Sequence, residues 1–181
     1  MSDALRIRLA TLKDVEALHR LIALSVRGLM PQAYTSAQLE AALGNWLGLD
    51  TQLIVDQTYF AVESSDGTLV ACGGWSKRKT PYGSDHRANR EDVLLDPATE
   101  AAKIRAFFVH PDWARRGIGT LLLEASEAAA LKAGFRTLEM GATLTGVPLY
   151  ERFGYIAQER VGLPLGDGDV LEIVKMTKSF A

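Results

Sequence analysis

Apolar positions recur along this chain with two alternating periods, and the alternation divides it into strands and helices. Leu5 to Leu9 alternates as a short half-buried strand does. Thr11 then stands as an N-cap with Asp14 in the first turn, where a carboxylate favours the helix dipole, and Val15, Leu18, Ile22 and Val26 follow at helical spacing. This first helix is expected to run to about Arg27 and to break at Gly28-Leu29-Met30-Pro31. A second, capped by Thr35 or Ser36, continues through Leu39, Leu43 and Leu47. Tyr59 to Glu63 and Leu69 to Trp75 read as strands joined by Ser64-Ser65-Asp66-Gly67, in which Asp-Gly is a hairpin signal.

After Trp75 periodicity is lost until about Ala102, a stretch longer than ordinary connections. Ile104 to Val109 is then a strand ending at Pro111, and the Leu/Ala-rich run to Lys132 is a helix with Gly134 as its stop. Phe135 to Met140 reads as a strand, Gly146 to Phe153 as a short helix, and Tyr155 to Val161 and Val170 to Met176 as a hairpin turned by Gly166-Asp167-Gly168. The expected core includes Leu43, Leu47, Phe60, Val62, Ile104, Leu122, Leu138 and Ile173.

Composition narrows the class. The 181 residues, 48% hydrophobic, suit one globular domain spanning 1–181, with no break in composition to suggest a second. A net charge of −2 argues against non-specific binding to nucleic acid or an acidic membrane. Cys72 is the sole cysteine, so no internal disulfide forms; this and the absence of an apolar core in Met1-Ser2-Asp3-Ala4-Leu5-Arg6 lead us to expect a cytoplasmic protein. The three histidines are scattered and offer no metal-ligand spacing.

The chemistry concentrates in Arg115-Arg116-Gly117-Ile118-Gly119-Thr120, which opens the Leu-rich helix. The first N–H groups of a helix lack internal partners and the dipole there is positive, so an anion gains several hydrogen bonds at once. Gly117 and Gly119 let the backbone approach phosphate oxygens closely. Leu122 stands where a dinucleotide fingerprint needs its third glycine, and no G-x-x-x-x-G-K-[ST] occurs, so a nucleotide dehydrogenase and a P-loop NTPase are poor readings. No G-x-S-x-G supports a serine hydrolase.

A second segment, Leu149-Tyr150-Glu151-Arg152-Phe153-Gly154-Tyr155, follows after one short strand. Taken alone, Tyr150 would be an amphipathic aromatic packing its helix. In this order and spacing, Val109 to Gly119 and Leu149 to Tyr155 resemble the GNAT superfamily of acyl-CoA-dependent N-acetyltransferases. The resemblance implies an α/β fold with a mixed, mostly antiparallel sheet, flanked by helices and splayed at the acyl-CoA site. It implies acetyl-CoA as co-substrate, its diphosphate on the amides of Arg115, Arg116, Gly117, Ile118, Gly119 and Thr120. The pantetheine arm would pair with Phe107, Phe108 and Val109 like an added strand and touch Thr143. Attack by an amine on the thioester would be direct, with Tyr150 protonating the leaving thiolate and the N–H of Phe107 or Phe108 stabilising the oxyanion.

Ala114 stands where relatives often carry Gln or Arg, and Thr143 where many carry asparagine, whose amide makes one more hydrogen bond than a hydroxyl. Lys103 occupies the place of a common basic glutamate, leaving Asp85, His86, Glu100, Glu139 or a water relay as the base. The acceptor is a small-molecule or peptide amine, and relatives of this kind are often dimers, which leaves a homodimer open. A non-catalytic acyl-CoA sensor and transfer of a different acyl group are the alternatives. Lys77, Arg78, Lys79, Arg87 and Arg90 against Asp85 make the long loop either a basic acceptor-binding lid or a merely solvated loop.

Overall fold

The computed structural model describes residues 4–88 and 90–181; Met1 to Asp3, part of the reading of localisation, lie outside it. The strands are β1 (Arg6–Leu9), β2 (Tyr59–Glu63), β3 (Leu69–Ser76), β4 (Ala102–Val109), β5 (Thr137–Thr143), β6 (Ile156–Gly166) and β7 (Asp169–Ser179). The helices are α1 (Val15–Leu29), α2 (Ser36–Ala42), α3 (Thr51–Val55), α4 (Ile118–Lys132) and α5 (Val147–Arg152). One seven-stranded sheet runs in the order β1-β2-β3-β4-β5-β7-β6, antiparallel except between β4 and β5. Among the described residues no helix is long and apolar enough to cross a membrane.

Local sequence explains most element ends. A capping box between Thr11 and Asp14 leads through one 3-10 turn into α1, whose buried stripe is Leu18, Leu21, Ile22, Ser25 and Val26. Against expectation α1 passes through Gly28: a Cβ there would lie 2.4 Å from the Pro111 ring, so this glycine serves close packing rather than helix termination. Thr35 is the cap of α2, accepting from the N–H of Gln38. That helix stops at Ala42 because Leu43 turns extended, so Leu47 lies beyond a turn, bridged to Leu43, and Leu43 is only half-buried. The short α3, absent from the sequence reading, is capped by Asp50 through the N–H of Gln52 at 3.0 Å.

Two apolar layers sandwich the sheet. Leu18, Leu39 and Leu53 of α1 to α3 cover Tyr59, Cys72, Phe108 and Ile173 on one face; Leu123 and Ala130 of α4 and Tyr150 of α5 cover Leu138 and Met176 on the other. Val62, Ile104, Leu122 and Leu138 are buried as expected, whereas Phe60 is half-buried.

The sheet is open at its centre. Strands β4 and β5 pair only through Ala102–Leu138 and Lys103–Glu139, then part. On its other side β4 pairs with β3, and there the register slips so that Ala106 and Phe107 face Gly73 alone. Ala106 adopts a left-handed φ of 55°, the mark of a β-bulge that re-aims the strand.

Candidate active site

Arg115 and Gly117 both lie at left-handed φ, 63° and 80°, and bring the chain abruptly into α4. The first intrahelical bond runs from Leu121 N–H to Gly117 C=O at 3.1 Å, so the N–H groups of Ile118, Gly119 and Thr120 precede the helical ladder. No atom within 4 Å would meet a Cβ on Gly117. Arg116 lays its guanidinium over Trp113, 4.8 Å from the ring centroid, and the Ile118 side chain is buried, so Ile118 can offer only its backbone. From this turn a cleft of about 660 Å³ runs past Ala114, Arg115, Gly119 and Leu149 to Val109, Phe107, Thr143 and Tyr150.

The bulge fixes one donor in that cleft. Tyr59, fully buried, donates its hydroxyl to the Ala106 carbonyl at 2.8 Å. A trans peptide carries its C=O and the next N–H on opposite sides, so this bond turns the Phe107 N–H away from Tyr59. Gly73 makes room for the arrangement, because a Cβ there would sit 2.4 Å from the Phe107 ring. Phe108 differs from its neighbour: its side chain joins the core under α1. The N–H of Val109 donates to Ser25 Oγ at 3.1 Å, and Ser25 also lines the cleft.

Tyr150 closes the cleft where the sheet splays. Its ring is edge-on to Tyr155 with centroids 6.0 Å apart and tilted against Phe107 at 6.2 Å. Burial pushes its phenol well above the ordinary value, so it is held as the neutral acid. The loop before α5 is tied down by Tyr34, whose hydroxyl accepts from Leu144 N–H at 2.9 Å and donates to the Glu172 carbonyl at 2.6 Å. Thr143 Oγ1 lies 3.1 Å from Thr145 Oγ1 at the cleft wall.

On the far side of Tyr150 a second cavity, about 80 Å³, shares Met30, Phe107, Thr143 and Tyr150 with the cleft and is otherwise lined by groups such as Trp46, Pro81, Tyr82, Ile104 and Met140. Among the described residues no carboxylate or imidazole lines it. The sequence candidates for a base are engaged elsewhere. Asp85 accepts from Thr51 N–H and Oγ1 at the start of α3, and Glu100 accepts from Asp96 N–H. His86 lines a separate groove with His19, and Glu139 is ion-paired with Lys103 in an adjoining cavity.

The long loop is neither a free cationic lid nor a solvated excursion. Residues 77–80 run beside 91–95 through backbone bonds such as Lys79 N–H to the Val93 carbonyl. Arg78 is paired with Asp56 at 2.7 Å, and Arg87 lies 4.6 Å over the Trp46 ring and 5.3 Å over Tyr82. Arg90 and the buried Arg105 both bind Asp50, itself 1% exposed, at 2.9 Å, and Arg105 also donates to the Thr80 and Gly83 carbonyls. This network holds Pro81 to Gly83 at the cavity mouth. Sequence reading missed Tyr34, Asp50, Tyr59 and Arg105 because each acts on a partner distant in the chain; an arginine in an otherwise apolar strand was the one available sign.

Comparison with known proteins agrees with the fold. Residues 95–180 match the family model of the acetyltransferase (GNAT) domain. No curated protein sequence matches the chain. Among solved structures, a GCN5-related N-acetyltransferase from Rhodopseudomonas palustris superposes with a TM-score of 0.68 at 21% identity, over 99% of this chain and 97% of that one. PaiA N-acetyltransferase from Thermoplasma acidophilum, solved with coenzyme A, gives 0.66 at 14% identity over 98% and 99%. A GNAT family acetyltransferase from Brucella melitensis, solved with acetyl-CoA, gives 0.60 at 16% over 99% and 90%. Residues 95–180 therefore match the GNAT acetyltransferase domain, on a chain whose fold is that of the GNAT N-acetyltransferases.

Proposed function

We propose that the protein transfers the acetyl group of acetyl-CoA to a primary amine by direct attack. One observation carries the reading: the cleft leading from the α4 turn and the cavity beyond it meet at Phe107, Thr143 and Tyr150. The diphosphate rests on the N–H groups from Arg115 to Thr120, and the pantetheine arm lies along Phe107 to Val109, where β4 has parted from β5. As the amine adds to the thioester carbonyl, its oxygen gains negative charge, which the Phe107 N–H stabilises. Collapse breaks the C–S bond, and Tyr150 gives its proton to the thiolate, producing the amide and CoA. With no carboxylate or imidazole in the acceptor cavity among the described residues, the amine attacks in its neutral form, the proton its nitrogen sheds on becoming an amide passes to water, and water returns a proton to the Tyr150 phenolate.

Incubation with acetyl-CoA and a pool of amino acids, polyamines, aminoglycosides and short peptides, read by mass spectrometry beside Tyr150→Phe, tests the proposal. An acetylated product that vanishes in the variant supports it. CoA binding without any turnover favours a sensor instead.

A further inference from the structure

The acceptor cavity does not end at Tyr82. Beyond that ring lies a third cavity of about 280 Å³, which shares Pro81, Tyr82, Met140 and Gly141 with the acceptor cavity. Tyr82 is seated directly on the β5 backbone, since a Cβ on Gly141 would come within 2.7 Å of its ring. The third cavity is lined by Lys79, Lys103 and Lys175, from the loop, β4 and β7, against Glu139 alone among carboxylates in its described lining. Gln158 and Thr177 add polar groups. Lys103 is buried beside Glu139, whereas Lys175 is held by exposed Glu159 at 3.0 Å and Lys79 stands 4.0 Å from exposed Glu91. Exposed pairs of that kind contribute little and rearrange readily, so both ammonium groups can turn to an anion in the cavity.

We propose that this cavity receives the anionic tail of the acceptor, making the substrate class an elongated primary amine with a carboxylate or phosphate at its far end. This rests on the acetyl-transfer reading above. The length follows from the strands. Lys103 precedes Phe107 by four residues on β4 and Glu139 precedes Thr143 by four on β5, a separation of ~13 Å at ~3.3 Å per residue. An amine at Tyr150 thus reaches the lysines with a chain of about four peptide residues or its aliphatic equivalent.

Three probes of equal length separate the possibilities: ω-aminoundecanoate, its neutral carboxamide and the corresponding diaminoundecane. Calorimetric binding to the CoA-loaded protein is measured alongside acetylation by mass spectrometry, for wild type and the Lys79→Ala/Lys175→Ala double variant. The expected result is binding of the carboxylate about tenfold tighter than of its carboxamide, the diamine weakest, with the preference abolished in the double variant. Equal binding of all three, binding of none, tighter binding of the diamine, or an unaltered preference in the variant would overturn the proposal. Carboxylate-selective binding without acetylation would retain the tail site and reject the transfer reaction.

Discussion

On the α4 side of the cleft, the groups offered to a ligand are main-chain N–H donors, placed by the left-handed turns at Arg115 and Gly117 and by the bulge at Ala106. On the opposite side they are side chains, Trp46, Tyr82 and a set of lysines, held by Asp50 bridging two arginines across the loop and β4. The first side depends on backbone geometry and tolerates varied residues around a few glycines. The second depends on the identity of each side chain. A common acyl donor matches the first arrangement, and variable acceptors match the second.

The comparison is broken most severely where the two sides meet. Tyr150→Phe keeps the ring packing but removes the hydroxyl proposed as the acid, and is expected to lower kcat by a factor on the order of 10² to 10⁴ while the Kd for CoA stays close to wild type. Single-turnover kinetics beside calorimetry would check this, and a wild-type rate would remove Tyr150 from the chemistry.

Asp50→Asn attacks the side-chain half alone. Arg105 and Arg90 would be left sharing a buried site without their counter-charge, a loss of about 3 to 5 kcal/mol in unfolding free energy by urea titration. A loss below about 1 kcal/mol would show that the loop is not held by this network.

Gly119→Val attacks the backbone half. A Cβ there already lies 3.0 Å from Leu149 Cδ2, and the branched chain would crowd the cleft, raising the Kd for CoA by roughly tenfold with little change in stability. Unchanged affinity would move the diphosphate off this turn.

The smallest expected effect is in the pH profile. Burial raises the Tyr150 phenol well above its ordinary value, so its acid form persists as pH rises and the rate follows only the acceptor's own deprotonation. Between about pH 6 and 10 the profile should climb and shift with the pKa of each amine used. A descending limb near ~10 would mean that the phenol is far better solvated than its packing indicates.

The same contrast explains what could be read from sequence. The α4 turn, Tyr150 and the strand before Pro111 were legible because each is a local pattern: glycines next to a Leu-rich helix, an aromatic at fixed spacing, a short apolar run. The Asp-Gly hairpin and Tyr59–Glu63 matched for the same reason. Asp50 was not legible as a partner of Arg105, 55 positions away, because no local rule joins them. Reading Lys77 to Arg90 as either an acceptor-binding lid or a solvated loop missed, on the same ground, that Arg78 and Arg90 are neutralised by carboxylates outside the loop. Gly28 misled because a glycine that admits Pro111 looks, in sequence, like one that ends a helix.

The hydrogen bond from Val109 to Ser25 bears on how tightly an arm lying on β4 can hold. That donor is already satisfied by Ser25, so a pantetheine carbonyl placed there as proposed would exchange one acceptor for another rather than capture a bare N–H. On that placement the swap would be close to neutral in free energy but strict in direction, fixing where the thioester comes to rest while leaving affinity to the phosphate end. Product CoA, which keeps the same phosphates, would then be released at a rate set mainly by α4 and hardly by the strand that aligned the reaction.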